Sequence, residues 1–271
     1  MKIFKRQMLV IAGLTLSLGM GASIASATHS WGGYHWARTA NPFTVKLGDN
    51  VSTVWDSHLA VASTDWSASS VLDTTIVSGT SKRNCGPVKG RVEVCNKNYG
   101  NNGWLGIASI WVSGSHITQG TVKLNDTYFN TATYNTPAWR RFVMCQEVGH
   151  TFGLGHQDET FNNPNLGTCM DYTSDPDGTL ANPDQLSNEH PNTHDYDELV
   201  GIYAHLDTFT TLLSKTFSAG GSNMAKAADV DTSDAKEWGK ALKHDSRGKD
   251  SLYERNLGNG EKLFTFVVWA K

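Results

Sequence analysis

The chain has 271 residues, of which 39% are hydrophobic and 18% charged, with only 7 Pro, a makeup that excludes disorder and collagen-like structure. A formal charge of -3 provides no basic field for gripping nucleic acid, and no run of 18 or more apolar residues spans a bilayer as a permanent anchor.

Residues 1–27 read as a secretory signal. Lys2, Lys5 and Arg6 make a positive start, Met8 to Met20 supplies a short apolar stretch, and Ala25-Ser26-Ala27 offers the small residues that a signal peptidase accepts. A buried N-terminal helix is the alternative, but it does not explain that order of features. The mature chain is expected to start at Thr28 and to be secreted. A strand-like run follows at Phe43 to Leu47, and Asp49 or Asn50 is placed to cap a helix over roughly Ser52 to Trp66, where Val54, Trp55, Leu59, Ala62 and Trp66 recur at helical spacing. Strands are expected at Val71–Val77, Arg91–Val94, Trp104–Val112 and Thr121–Phe129.

A second helix opens with Thr136 as cap and Pro137 at its first position, and is expected to run to about Phe152 and stop at Gly153. An irregular span rich in Asn, Asp, Gly and Pro covers residues 157–193, and a third helix runs from Asp195 to about Leu206. The remainder, residues 207–271, reads as a C-terminal extension, either a small appendage or a segment that pairs back onto the main sheet. It ends in a strand-like Leu263–Trp269 and has a flexible joint at Ser218–Ser222.

Four cysteines, Cys85, Cys95, Cys145 and Cys169, remain in a chain bound for an oxidising compartment. Three pairings are open. The short segment between Cys85 and Cys95 can fold back on itself, which would leave Cys145 with Cys169; four buried thiols are the alternative.

The chemistry lies on the second helix, in the stretch Gln146-Glu147-Val148-Gly149-His150-Thr151-Phe152-Gly153-Leu154-Gly155-His156. Residues 146 and 150 are one turn apart and project from one face, with Glu147 beside them. Gly153 permits a turn that brings His156 back toward His150, which makes three ligands available for a metal. Such a metal keeps an open position and lowers the pKa of its water to about 7, and Glu147 is placed to take that water's proton.

These residues resemble the HExxHxxGxxH signature of the metzincin clan of zinc endopeptidases, with His150, Gly153 and His156 in register and Glu147 at the position of the general base. Cys169-Met170-Asp171-Tyr172 resembles that clan's Met-turn, with Met170 as the hydrophobic floor below the metal and Tyr172 at the place of a displaceable extra zinc ligand in its astacin-like and serralysin-like branches. The resemblance implies an α+β fold in which a twisted mixed sheet carries the active-site helix, above a mainly helical and irregular C-terminal subdomain. It implies a metalloprotease domain over residues 28–206, Zn2+ as cofactor, a polypeptide substrate, and a Cys145–Cys169 bridge from helix to turn. The chain departs from the pattern at Gln146, whose neutral amide oxygen replaces an imidazole and should weaken zinc binding.

In that reading zinc on His150, His156 and Gln146 polarises the scissile carbonyl, Glu147 carries the proton, Tyr172 hydrogen-bonds the oxyanion, and substrate adds to Trp104–Val112 as an exposed edge strand. A catalytically silent binding or scaffold protein on the same fold is the competing function. The chain is expected to act as a monomer, with no nucleic-acid partner and no membrane contact in its mature form. The nine Trp are read as packing residues, and His190, His194 and His205 as solvated surface rather than a second ligand set. Asp175-Pro176-Asp177-Gly178 can hold Ca2+ or simply form a turn, and no calcium site is assigned.

Overall fold

The computed structural model describes residues 29–80, 84–181, 183–212 and 230–271; the signal segment and the Ser218–Ser222 joint lie outside them. Along the chain run β1 (His35–Trp36), β2 (Phe43–Asn50), α1 (Thr53–Trp66), β3 (Leu72–Ser78), β4 (Arg91–Lys97), β5 (Trp104–Ser113) and β6 (His116–Asn125). They are followed by α2 (Asp126–Phe129), α3 (Pro137–His150), α4 (Thr193–Ile202), β7 (Lys240–His244), β8 (Asp250–Gly258) and β9 (Glu261–Trp269). The strands form one mixed sheet in the order β3-β2-β4-β6-β5-β9-β8-β7, with the short β1 parallel to β6. Strands β3, β2, β4 and β6 are parallel, and from β5 onward each neighbour is antiparallel. This is an α+β architecture.

Local chemistry sets the boundaries. The expected strand over 121–129 ends at Asn125, because that side chain accepts the N–H of Thr127 and starts α2. Asp49 accepts the N–H of Val51 at the end of β2, and α1 opens instead at Ser52 without a side-chain cap. Asn192 and Asp195 form a reciprocal capping box, so α4 begins at Thr193, ahead of the expected Asp195, and closes at Ile202. Within the expected irregular span, residues 157–181 and 183–192 form no helix or strand. The C-terminal part is not mainly helical, however: residues 240–269 add three strands to the sheet.

Helices α1 and α3 cover one face, where Trp36, Trp55, Trp66, Phe142, Val143, Phe152 and Phe266 share the main core. On the opposite face Trp104, Ile107, Trp238 and Val267 form a smaller cluster. Apart from Trp269, every Trp is buried, in keeping with packing roles. The disulfides Cys85–Cys95 and Cys145–Cys169 both form.

The register of β5 overturns one expectation. Trp104–Val112 is no free edge, since β9 pairs with it from Trp104↔Trp269 to Ser113↔Glu261. Both faces of β5 are buried as well. A near-continuous apolar strand of this kind belongs in the interior of a sheet.

Candidate metal centre

Helix α3 presents the central residues. Thr136 accepts the N–H of Trp139 and Pro137 opens the first turn. At the other end the helix closes at His150, and Gly153 adopts φ 101°, where a Cβ would meet the backbone oxygen of Tyr34 at 2.5 Å. The N-terminal segment serves the exposed carbonyls of this terminus: the indole N–H of Trp31 donates to His150 O at 3.3 Å and that of Trp36 to Thr151 O at 2.9 Å. The turn at Gly153 brings His156 back to His150, and their Nε2 atoms lie 2.9 Å apart.

Each ring is oriented through its other nitrogen. His150 Nδ1 donates to Leu154 O and His156 Nδ1 to Glu159 Oε1, both at 2.8 Å. Both N–H groups are thus committed to acceptors, and the two Nε2 lone pairs face a common point, the arrangement that fixes imidazole ligands around a metal. Burial, reinforced by neighbouring His156, holds His150 well below the usual histidine pKa and so keeps it neutral. On Glu159 burial pushes upward, but the bonds from His156 and from the Ser251 hydroxyl of β8 hold its carboxyl below the ordinary value.

Gln146 donates through Nε2 to Cys169 O at 2.7 Å, which leaves its buried Oε1 without a protein partner. An acceptor stranded this way in a sealed site fits a cation. Glu147 is fully buried with neither oxygen in a well-formed hydrogen bond. Burial raises its pKa well above the ordinary value, and the peptide N–H groups of Ala108 and Val268 pull the other way. Two imidazole nitrogens, an unpaired amide oxygen and an adjacent carboxyl suit a divalent zinc ion.

The segment around Met170 closes the floor. A Cβ at Gly149 would sit 2.7 Å from Met170 Sδ, so the sulfur lies directly under α3. The Tyr172 ring is 4.3 Å from that of His156. The remaining wall comes from the C-terminal strand: Phe266 of β9 stacks on His150 with centroids 4.0 Å apart and an interplanar angle of 12°, and the Tyr172 hydroxyl donates to Val267 O at 3.0 Å. Burial, then the carboxylates of Glu159 and Glu147, raise the Tyr172 pKa well above its ordinary value, so it stays a donor. Beside His156 a depression of about 350 Å³ opens between Gln157–Glu159 and Leu242–His244.

Of the residues singled out in the sequence, His150 and His156 meet at their Nε2 atoms and Tyr172 packs on His156, while Gln146 and Glu147 are buried on the same helix and the Cys145–Cys169 bridge ties α3 to the Met170 segment. Leu263–Trp269 forms the strand expected there, but its place beside the site, and that of Glu159, was missed in the sequence. A carboxylate three residues beyond a ligand histidine is a local signal that could have found Glu159, whereas the strand joins the site from far along the chain. Asp175 and Asp177 are turn formers: Asp175 Oδ2 accepts the N–H of Leu180, and Asp177 Oδ1 accepts the Thr179 hydroxyl. His190 pairs with Asp65 on the surface, and His29 meets Asp195 at 3.2 Å. His205 is solvent-exposed as expected, and its Nε2 lies 3.1 Å from His35 Nε2.

No family model and no curated protein matches the chain. Among solved structures it is similar to High choriolytic enzyme 1, a hatching enzyme zinc-protease from Oryzias latipes (medaka fish), at a TM-score of 0.35 and 10% identity, over 64% of this chain and 96% of that one. So slight a likeness decides nothing about activity, and the side chains themselves carry the functional reading.

Proposed function

We propose that the chain is an exported zinc endopeptidase whose cleft is closed by its own C-terminal strand. The observation that carries this is the facing pair of Nε2 atoms at 2.9 Å, with both Nδ1 atoms already engaged, on a helix that also buries an unpaired Gln146 oxygen and Glu147. His150, His156 and Gln146 would hold the ion. Zinc bound there supplies Lewis acidity toward a peptide carbonyl, makes water acidic near neutral pH, and favours the ionised form of Glu147.

The remaining work belongs to the chain. Glu147 takes a proton from water at one carboxylate oxygen and returns it to the departing amine. Tyr172 donates its O–H to the carbonyl oxygen of an extended peptide, the contact it now makes with Val267. Strand β9 lies where such a peptide would pair with β5, so a substrate strand adds only when β9 has left. What must yield for that exchange is the β5–β9 ladder together with the stack of Phe266 on His150.

The test compares zinc content and cleavage of an unfolded polypeptide for the full chain, Phe266→Ala and Glu147→Ala/Phe266→Ala. Expected are bound zinc in all three, weak cleavage by the parent, at least tenfold faster cleavage by Phe266→Ala, and loss of that gain with Glu147→Ala. Zinc-loaded Phe266→Ala that cleaves nothing would identify a silent binding protein instead, a reading the covered cleft also suits.

A further inference from the structure

We propose that His35, His116, His205 and Asp207 form a second zinc site, structural in role and separate from the histidines of α3. Strand pairing assembles its first half: β1 lies parallel to β6 with His35 directly opposite His116, and their rings are 4.8 Å apart. The segment after α4 brings the other half. It is fastened to the residues that follow β1 by Asp207 N donating to Arg38 O at 2.9 Å, Thr211 N to Ala37 O at 3.0 Å, and Ala37 N to the Thr211 hydroxyl at 3.1 Å.

The donor atoms converge as ligands do. Those of His35, His116 and Asp207 all lie within 4.8 Å of one another. Asp207 Oδ1 is 3.2 Å from His116 Nε2 and 3.6 Å from His35 Nε2. His205 Nε2 closes the set from the solvent side, 3.1 Å from His35 Nε2 and 3.9 Å from Asp207 Oδ1. Ligands around tetrahedral zinc, at bond lengths of about 2.0–2.1 Å, stand about 3.3 Å apart.

Orientation agrees with spacing. His35 Nδ1 donates to Gly33 O at 2.9 Å, which turns the lone pair of Nε2 toward the cluster. Asp207 gives its other oxygen, Oδ2, to Arg38, accepting from the backbone N–H at 3.2 Å and from Nη1 at 3.0 Å. Oδ1 is thereby the oxygen presented to the three imidazoles. Buried Arg38 is in turn pinned by Tyr203 O at 2.8 Å and by His205 O. Two nitrogens and one carboxylate oxygen in a compact set, with the His205 imidazole at its solvent rim, select zinc over the hard cations calcium and magnesium. His205 is exposed, so an ion reaches this point from solvent without displacing any strand.

The test isolates this site from α3 by using the full chain carrying His150→Ala, stripped with chelator and titrated with Zn2+ and with Co2+. One tight equivalent is expected, with the visible absorption of tetrahedral cobalt and a thermal midpoint that rises with zinc. Adding His116→Ala or His205→Ala should weaken zinc at least tenfold and abolish both signals. Because His205 is exposed, its removal leaves the fold intact; in the parent background it should take the zinc stoichiometry from two to one. Undiminished zinc affinity in the His205→Ala and His116→Ala chains, or no tight equivalent in His150→Ala, would overturn the assignment. So would a His205→Ala chain whose loss of thermal stability is as large in chelator as in zinc.

Discussion

Gly106 on β5 exists as glycine because Glu147 needs its space. A Cβ there would lie 2.5 Å from Val143 Cγ1 and 2.7 Å from Glu147 Oε1. Gly106→Ala is therefore expected to cost about 1–3 kcal/mol, as overpacking does, and denaturant unfolding would measure it. His58 sets an acid limit of its own. Burial, then Arg140 and Arg141, lowers its pKa from 6.5 to about 4, so between those values the unfolded chain holds the proton that the folded chain refuses. Stability attributable to His58 is complete above pH 6.5 and drains away as pH falls toward 4. His58→Gln should lose less thermal midpoint over that interval than the parent does. At this scale the sequence is legible where partners are neighbours: Gln146, Glu147, His150 and His156 share one helix and its closing turn. His35, His116, His205 and Asp207 come from three distant segments, and no periodicity connects them.

Helix α3 was readable at its start, where Thr136 and Pro137 are local signals, and at its closing Gly153, but not in what serves its last carbonyls. Its last carbonyls depend on Trp31 and Trp36 from the other end of the domain. Trp36→Phe keeps most of the ring and removes the indole donor, leaving Thr151 O buried and unpaired. A loss of about 1–3 kcal/mol is expected, seen as a lower denaturation midpoint with unchanged slope. Strand β5 carries the opposite lesson. Its apolar run marked an interior strand, and the expectation of a free edge came from chain order in the resembled family rather than from those residues. Strands β7 and β8 are rich in charged and polar residues, β7 largely exposed and β8 largely half-buried, so alternation could not reveal them.

The whole molecule is organised around joining distant segments to one helix. The Cys145–Cys169 bridge closes 24 residues and fixes the Met170 segment under α3. Loop-closure entropy assigns such a bridge about 3 kcal/mol, so Cys145→Ala/Cys169→Ala should unfold at correspondingly lower denaturant while keeping the β5–β9 pairing. The position of β9 has a further kinetic meaning. With β9 seated, Gln146, Glu147 and His150 have no exposed surface and His156 very little. An ion captured among them is caged, and its exchange with the surroundings waits on detachment of a strand hydrogen-bonded along its length rather than on the breaking of a coordination bond. On the proposed zinc reading an order of maturation follows: loading comes before the last ladder zips shut.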